Sequence, residues 1–173
     1  MMKSDVTITD NVLKDHDLDY ILNRVESCHF PWYWSSVVAN DKFINDLKYN
    51  YQLGHTLFND GKIISNDFNI LLPLLDLLNI KTIHRIKINA NPMTSTIIEH
   101  GYHVDNEIPN SKTSIFYLNS NDGYTKFKDI NQTISSVRNR LITFDTHLSH
   151  TGTTCTDQSR RMVINLNYDC KDN

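Results

Sequence analysis

After Asn79 the apolar residues of this chain recur at every second position, and that period constrains the fold more than any other feature. Ile83, Arg85, Lys87 and Asn89 fall on one side of an extended segment, and His84, Ile86, Ile88 and Ala90 on the other, because side chains alternate across a strand. From there the chain reads as β almost to its end. Strands are expected at 82–89, 96–103, 113–118, 124–127, 134–137, 141–144 and 162–168. Turn signals at Asn91-Pro92, Pro109-Asn110, Asn121-Asp122-Gly123 and Gly152 separate them.

The N-terminal part is of another kind. A short alternating piece at 6–9 leads to Asp10, which can cap a helix carrying Val12, Leu13, Ile21, Leu22 and Val25. The aromatic cluster Phe30-Pro31-Trp32-Tyr33-Trp34 is expected to plug one end of the core, with a substrate-contacting lip as the other reading. The stretch from Asp41 to Tyr51 is mixed, and Asn59-Asp60-Gly61 is a hairpin turn between strands at 54–58 and 62–65. Ser65, Asn66 or Asp67 can cap a second helix, whose Phe68, Ile70, Leu71, Leu74, Leu75, Leu77 and Leu78 cover most of its circumference and call for burial. Pro73, about a turn in, delays that helix or bends it. Helices first and short strands afterwards give a mainly β chain, an antiparallel double-sheet jelly roll with helices packed on one outer face. With 173 residues the chain supports one good core. The expectation is a single domain over 1–173, in which 1–82 supply helices and accessory strands and 83–168 the jelly-roll core.

A net charge of -3 gives no electrostatic reason for affinity to nucleic acid or to an anionic membrane. The start, Met1-Met2-Lys3-Ser4-Asp5, leads into no apolar run of signal or membrane-spanning length, so a cytoplasmic protein is expected. Cys28, Cys155 and Cys170 have neither zinc-site nor disulfide-framework spacing and read as reduced thiols.

On this β scaffold, His103 and Asp105 are separated by Val104 alone, which puts both on one face of a strand, and His150 follows 47 residues after His103. Two imidazoles and one carboxylate on one side of a metal, with the other positions open, are the facial set of a non-haem iron(II) oxygenase. A lone histidine in a strand is more often structural, so the weight lies in the combination of these residues with an arginine eleven positions beyond His150. His100 lies five residues before Asp105, on the opposite face by strand parity, and is set aside as a ligand. His147, in the loop-like Thr146-His147-Leu148-Ser149, is placed beside the metal or on the substrate side.

Such an oxygenase needs a keto-dicarboxylate that chelates iron at one end and is held at the other by a fixed cation. A guanidinium matches a carboxylate with two parallel hydrogen bonds and never deprotonates. Arg160 and Arg161 point to opposite faces. Arg161 shares its face with Val163, Asn165 and Asn167, whereas Arg160 shares with Met162, Ile164, Leu166 and Tyr168. The more polar face suits a solvated pocket, which favours Arg161 as the anchor and leaves Arg160 second.

At this point the residues resemble a known family. The motifs are His103-Val104-Asp105-Asn106, then Thr113 to Asn119, then Gly123-Tyr124-Thr125-Lys126-Phe127, then Phe144-Asp145 to His150-Thr151-Gly152, then Arg161 before an alternating strand. In this order they resemble the iron(II)/2-oxoglutarate-dependent dioxygenases, and within them the prolyl 4-hydroxylase-like branch in the small form encoded by phages and marine bacteria. The resemblance covers about residues 83–168, half of the chain. It implies a double-stranded β-helix, Fe(II) on His103, Asp105 and His150, and 2-oxoglutarate on Arg161. Tyr117 falls where that branch places a tyrosine reaching the same carboxylate, although a core tyrosine fits the spacing equally well. Asn89 and Asn165 would face the same pocket by strand parity. The resemblance further implies hydroxylation of an unactivated carbon with O2, conversion of 2-oxoglutarate to succinate, and ascorbate as a supporting reductant. The substrate it favours is a prolyl or other residue of a peptide or protein, with a small molecule as the alternative. Trp32, Trp34, Asn106 and His147 are the candidate substrate contacts. The family often has two glycines where Asp122-Gly123-Tyr124 supplies one. A cupin-like protein using another metal without 2-oxoglutarate, or a non-catalytic jelly-roll binding module, are the competing classes. Absence of succinate production would favour either.

Overall fold

The structure, a computed structural model, describes residues 6–38 and 47–171. The polar start at 1–5 and the first part of the mixed stretch, 41–46, lie outside them. In chain order the elements are β1 (Thr7–Asp10), α1 (Asp15–Val25), β2 (Tyr33–Ser35), β3 (Gln52–Asn59), β4 (Lys62–Ile63), α2 (Leu72–Leu75), β5 (Ile80–Pro92), β6 (Ser111–Tyr117), β7 (Tyr124–Phe127), β8 (Gln132–Ser135), β9 (Arg140–Asp145), β10 (His150–Gly152) and β11 (Arg160–Cys170). A large antiparallel sheet runs β1-β9-β6-β11-β5-β3-β2, with β4 paired to β3, and a small one runs β10-β7-β8. This is the mainly β, jelly-roll architecture of a double-stranded β-helix. Among the described residues no helix is long and apolar enough to cross a membrane.

Period two does the packing. The outward face of β5, with Ile86, Ile88 and Ala90, joins Met162, Ile164 and Leu166 of β11 under Leu18, Ile21 and Val25 of α1 and the Ile70, Leu71 and Leu74 side chains. On the inner face, Ile115, Tyr117, Ile142, Phe144 and Val163 pack against Phe127 and Ile134 of the small sheet. No residue of β5 or β3 joins that inner cluster. Their inner face is polar instead: Asn91, Asn89, Lys87 and Arg85 stand in register with Arg161, Val163, Asn165 and Asn167 of β11. The apolar cover of the small sheet thus gives way, beyond β11, to the wall of a cavity.

Several elements differ from expectation. Asp10 does not cap α1. It lies on β1, where its carboxylate receives Arg140 Nε at 2.6 Å from the neighbouring β9. The helix begins five residues later, after Lys14, which offers no side-chain cap. Leu13 is buried ahead of it, with Asn139 donating to its carbonyl at 2.8 Å and accepting from its amide at 2.9 Å. Ser65 caps as expected, accepting from Asp67 N at 3.1 Å, but it caps a 3-10 turn over Asn66–Leu71, and the regular helix α2 starts only where Pro73 can occupy its first turn. The hairpin turn is confirmed, with Asp60 at φ 48° and Gly61 at φ 78°, the positive pair that a two-residue type I′ loop needs. The stretch 96–103 is not a strand, and β10 was not anticipated as one. The strand expected at 134–137 lies two residues earlier, at Gln132–Ser135. β1, β2 and β3 from the N-terminal part complete both edges of the large sheet.

Candidate functional site

Pro92 ends β5, and the following segment is tied to the rest by backbone bonds from Met93 N to Ser159 O (3.1 Å) and Thr94 N to Cys155 O (3.0 Å). It then makes two isolated bridges, Glu99 with Thr153 just past β10 and His103 with His150 at the start of β10. At the second, each backbone N donates to the other residue's carbonyl, at 2.9 and 3.0 Å. Residues paired in this way project to the same side, which sets the two imidazoles side by side with ring centroids 4.7 Å apart. Asp105 returns to them: its Oδ1 lies 3.9 Å from His103 Nε2 and its Oδ2 3.7 Å from His150 Nε2. One donor atom from each of the three residues lies within 4.8 Å of the others.

The protonation states suit a metal. His103 Nδ1 faces Gly101 O at 3.1 Å and His150 Nδ1 faces Leu148 O at 3.0 Å. A carbonyl only accepts, so Nδ1 of each ring is the protonated donor and Nε2 is the atom directed at the carboxylate and available as a ligand. Burial pushes the His150 pKa down against the pull of Asp105, favouring the neutral ring that a metal requires. For Asp105, burial pushes the carboxyl up, but the fields of His150, Arg85 and His103 and the Asn165 hydrogen bond outweigh it and hold the group at about 2. Arg85 Nη2 donates to Oδ1 at 3.1 Å, while Thr113 Oγ1 (3.1 Å), Asn165 Nδ2 (3.1 Å) and Asn167 Nδ2 (3.2 Å) all donate to Oδ2. The carboxylate is ionised and fixed in place.

A cavity of about 160 Å³ leads from this cluster to Arg161, lined also by Asn89, Asn91, His100 and Thr125. Arg161 is 2% exposed. Its Nε donates to Ser136 Oγ at 2.8 Å and its Nη2 to Thr125 Oγ1 at 3.0 Å, and the guanidinium carbon lies 5.5 Å from the Tyr117 ring centroid. No carboxylate among the described residues pairs with it. Arg160, by contrast, lies toward solvent and pairs with Glu26 at 3.2 Å.

Tyr117 is displaced from its expected part. Its hydroxyl donates to Thr125 Oγ1 at 2.8 Å, and Thr125 rather than Tyr117 lines the cavity. Asn89 and Asn165 do line it, each with a buried Oδ1 lacking any hydrogen-bond partner. Three expected substrate contacts lie elsewhere. Trp32 packs into the outer core, edge-on to Phe30 at 5.0 Å. Asn106 Oδ1 closes a turn by accepting from Ile108 N (3.0 Å) and Ser111 Oγ (3.0 Å). His147 is exposed and lines a separate hollow with Asp129 and Asp145. Trp34 is exposed on a groove beside the cavity. Sequence reasoning missed Arg85, Asn167, Thr113, Thr125 and Ser136. The first three share strand parity with Asn89, Arg161 and Tyr117 and could have been found that way; Thr125 and Ser136 carry no such signal.

Close approach to Arg161 explains one glycine. A Cβ at Gly123 would come 2.6 Å from Thr154 O and 2.8 Å from Arg161 Cδ, whereas one at Gly152 would come no closer than 3.4 Å to Arg161 Nη1. Gly123→Ala is therefore expected to destabilise the fold by about 1–3 kcal/mol through overpacking, and Gly152→Ala by much less. Urea midpoints of the two variants check this, and equal midpoints would contradict it.

His100, 3% exposed, is held at about 4 by burial first and then by Arg161 and His103. The ordinary value is 6.5, so between 6.5 and about 4 the unfolded chain binds the extra proton. Its contribution to stability is complete above that window and is lost as pH falls through it, by about 3 kcal/mol. His55 and His150, also pushed down by burial, slope the same way. The apoprotein carrying His100→Asn should show a shallower loss of stability than wild type across that window in urea titrations. Parallel curves would exclude His100 as the group responsible.

Scans against protein-family models and curated proteins give no match. Solved structures do match. A 2OG-Fe(II) oxygenase family oxidoreductase from Burkholderia pseudomallei superposes with a TM-score of 0.69 at 13% identity, covering 94% of this chain and 84% of that one. A Pseudomonas putida prolyl-4-hydroxylase gives 0.66 at 10% identity, covering 98% and 94%. A prolyl hydroxylase from Trichoplax adhaerens, solved with a hypoxia-inducible-factor oxygen degradation domain peptide, gives 0.64 at 15% identity, covering 95% and 83%. The chain has the fold these proteins share, the fold the sequence motifs resemble.

Proposed function

We propose that the protein is an iron(II)- and 2-oxoglutarate-dependent oxygenase that hydroxylates an unactivated carbon, with a prolyl or other residue of a peptide or protein as its substrate. The observation that carries this reading is one cavity with His103 and His150 facing an ionised Asp105 at one side and, at the other, a buried guanidinium that no carboxylate among the described residues pairs with. A buried cation is costly unless paired, and the partners of Arg161 among the described residues, the Ser136 and Thr125 hydroxyls and the Tyr117 side chain, are all uncharged. A carboxylate arriving with the ligand supplies what is missing. Thr125 points to the same conclusion. Its oxygen already accepts from Tyr117 and Arg161, so its own proton is free to be donated to that carboxylate. Tyr117 then acts through Thr125 as a positioning residue.

Iron(II), when bound by His103, Asp105 and His150, supplies a centre that takes the keto acid and reacts with dioxygen. The net reaction consumes 2-oxoglutarate, O2 and a C–H bond and yields succinate, carbon dioxide and a C–OH. The protein's own part is to hold Nδ1 of both histidines on carbonyls so that Nε2 faces the metal position, to keep Asp105 ionised through Arg85, Thr113, Asn165 and Asn167, and to set the far carboxylate on Arg161 and Thr125. Ascorbate would serve as a reductant keeping iron divalent. A cupin-like site working without a keto acid would leave Arg161 uncompensated, which counts against it. The peptide bound by the Trichoplax relative supports a peptide substrate here.

Calorimetry under anaerobic conditions tests the reading. 2-Oxoglutarate should bind with one-to-one stoichiometry only after iron(II) is added, because chelation and the Arg161 contact act together. Binding that ignores the metal would contradict it.

A further inference from the structure

Lys87 stands between two hollows. It lines the cavity beside Arg85 and Asn89, and it also lines a groove of about 340 Å³ walled by Tyr33, Trp34, Gly54, His55 and Ile64. Gly54 lets the two hollows share this residue. A Cβ there would come 2.5 Å from Lys87 Cε and 3.4 Å from Asn89 Oδ1, so the lysine stem lies across bare backbone. The groove's aromatic wall is open to solvent, with Tyr33 62% and Trp34 64% exposed, and Trp34 is braced by stacking on Tyr51 at 4.6 Å. Single exposed aromatics need no explanation, but a pair walling a groove that shares Lys87 with a cavity holding a metal-ligand cluster does.

The cations of this wall are not equivalent. Arg85 is bound to Asp105 and Asn167, and Arg161 sits at the far end. Lys87 has no anionic partner among the described residues, while burial and the charge of Arg85 both disfavour its ammonium form. When the site is filled, the dianion of 2-oxoglutarate offsets the iron, and Arg85, Lys87 and Arg161 still outnumber Asp105. A site with that surplus selects an anion.

We infer that Lys87 determines specificity for the primary substrate by holding a carboxylate of that substrate, whose body crosses Gly54 into the groove under Tyr33 and Trp34. The inference rests on the oxygenase reading and deepens it: the target carbon belongs to a molecule with a free carboxylate near the reacting position, such as a chain terminus or an acidic side chain.

The test uses the full-length protein loaded with manganese(II) and saturating 2-oxoglutarate, so that no turnover occurs. N-acetyl-L-proline and N-acetyl-L-prolinamide, which differ in one carboxylate, are titrated while tryptophan fluorescence is followed. Wild type should bind the acid at least about tenfold more tightly than the amide, the margin of a charge-assisted over a neutral hydrogen bond. Lys87→Met should abolish the preference, Lys87→Arg should keep it, and Gly54→Ala, which displaces the lysine without removing it, should reduce it. Failure of wild type to bind the acid, equal binding of acid and amide, or a preference that survives Lys87→Met would each overturn the inference. Succinate formation by the iron-loaded wild type without added substrate is read in parallel. Its absence would count against the oxygenase reading, while the acid–amide comparison still reports on Lys87.

Discussion

Arg161→Met is expected to weaken 2-oxoglutarate binding by about 30- to 1,000-fold, since removing the buried partner of a hydrogen-bonded charge costs about 2–4 kcal/mol. The same change should leave the ligand-free protein no less stable than wild type. In the absence of ligand, Arg161 is 2% exposed and its guanidinium is held by the uncharged Ser136, Thr125 and Tyr117, with no carboxylate partner among the described residues. An apolar side chain of similar volume removes that desolvation cost, and such replacements are often neutral or stabilising by about 1–4 kcal/mol. Urea unfolding with and without 2-oxoglutarate reads both effects at once. Wild type should be stabilised by the ligand in the presence of iron, and the variant should begin at least as stable and gain nothing. Lysine at this position should not restore binding, because a point charge cannot reproduce the two parallel bonds of the guanidinium. A large loss of apoprotein stability in Arg161→Met would mean that the residue is structural and not held for a ligand.

Asp105→Ala should be the most damaging single change in the cavity. The carboxylate accepts hydrogen bonds from Arg85, Thr113, Asn165 and Asn167 and lies between two imidazoles. Without it, the Arg85 charge and three polar donors lose their common acceptor. Breaking a buried pair from one side costs about 3–5 kcal/mol, which for a chain of this size lowers the melting temperature by roughly 10 °C. Iron(II) at a hundred times its dissociation constant should stabilise wild type by about 2.7 kcal/mol and leave Asp105→Ala unchanged. Asp105→Asn separates the two effects: it keeps some hydrogen bonding and so more stability, while a neutral amide is a poor ligand for a divalent metal. Metal-dependent stabilisation that persists in Asp105→Ala would remove Asp105 from the ligand set.

These outcomes also mark what the sequence made legible. Alternation along β5 correctly separated Ile86, Ile88 and Ala90, which pack, from Lys87 and Asn89, which line the cavity, because a strand's period is a local property. His103 and Asp105 were brought to one face by an argument from strand parity, yet neither lies in a strand. What places His103 beside His150 is a pair of backbone hydrogen bonds across 47 residues, a non-local pairing to which local patterns are blind. The same limit explains Asp10, a good capping residue that pairs with Arg140 on a neighbouring strand instead. It explains Tyr117, whose hydroxyl is taken by Thr125. The aromatic cluster splits because it enters the edge strand β2: Phe30 and Trp32 pack on the outer core while Tyr33 and Trp34 stay exposed. Composition and spacing could not say where that division falls.

The central claim is tested most directly by succinate. Protein loaded with iron(II) under anaerobic conditions, given 2-oxoglutarate and ascorbate and then exposed to air, should form succinate slowly without any added substrate, and His103→Ala and Arg161→Ala should form none above the protein-free control. If wild type binds iron yet yields no succinate and shows no affinity for 2-oxoglutarate, the oxygenase account fails, and a metal-binding jelly roll with another chemistry takes its place.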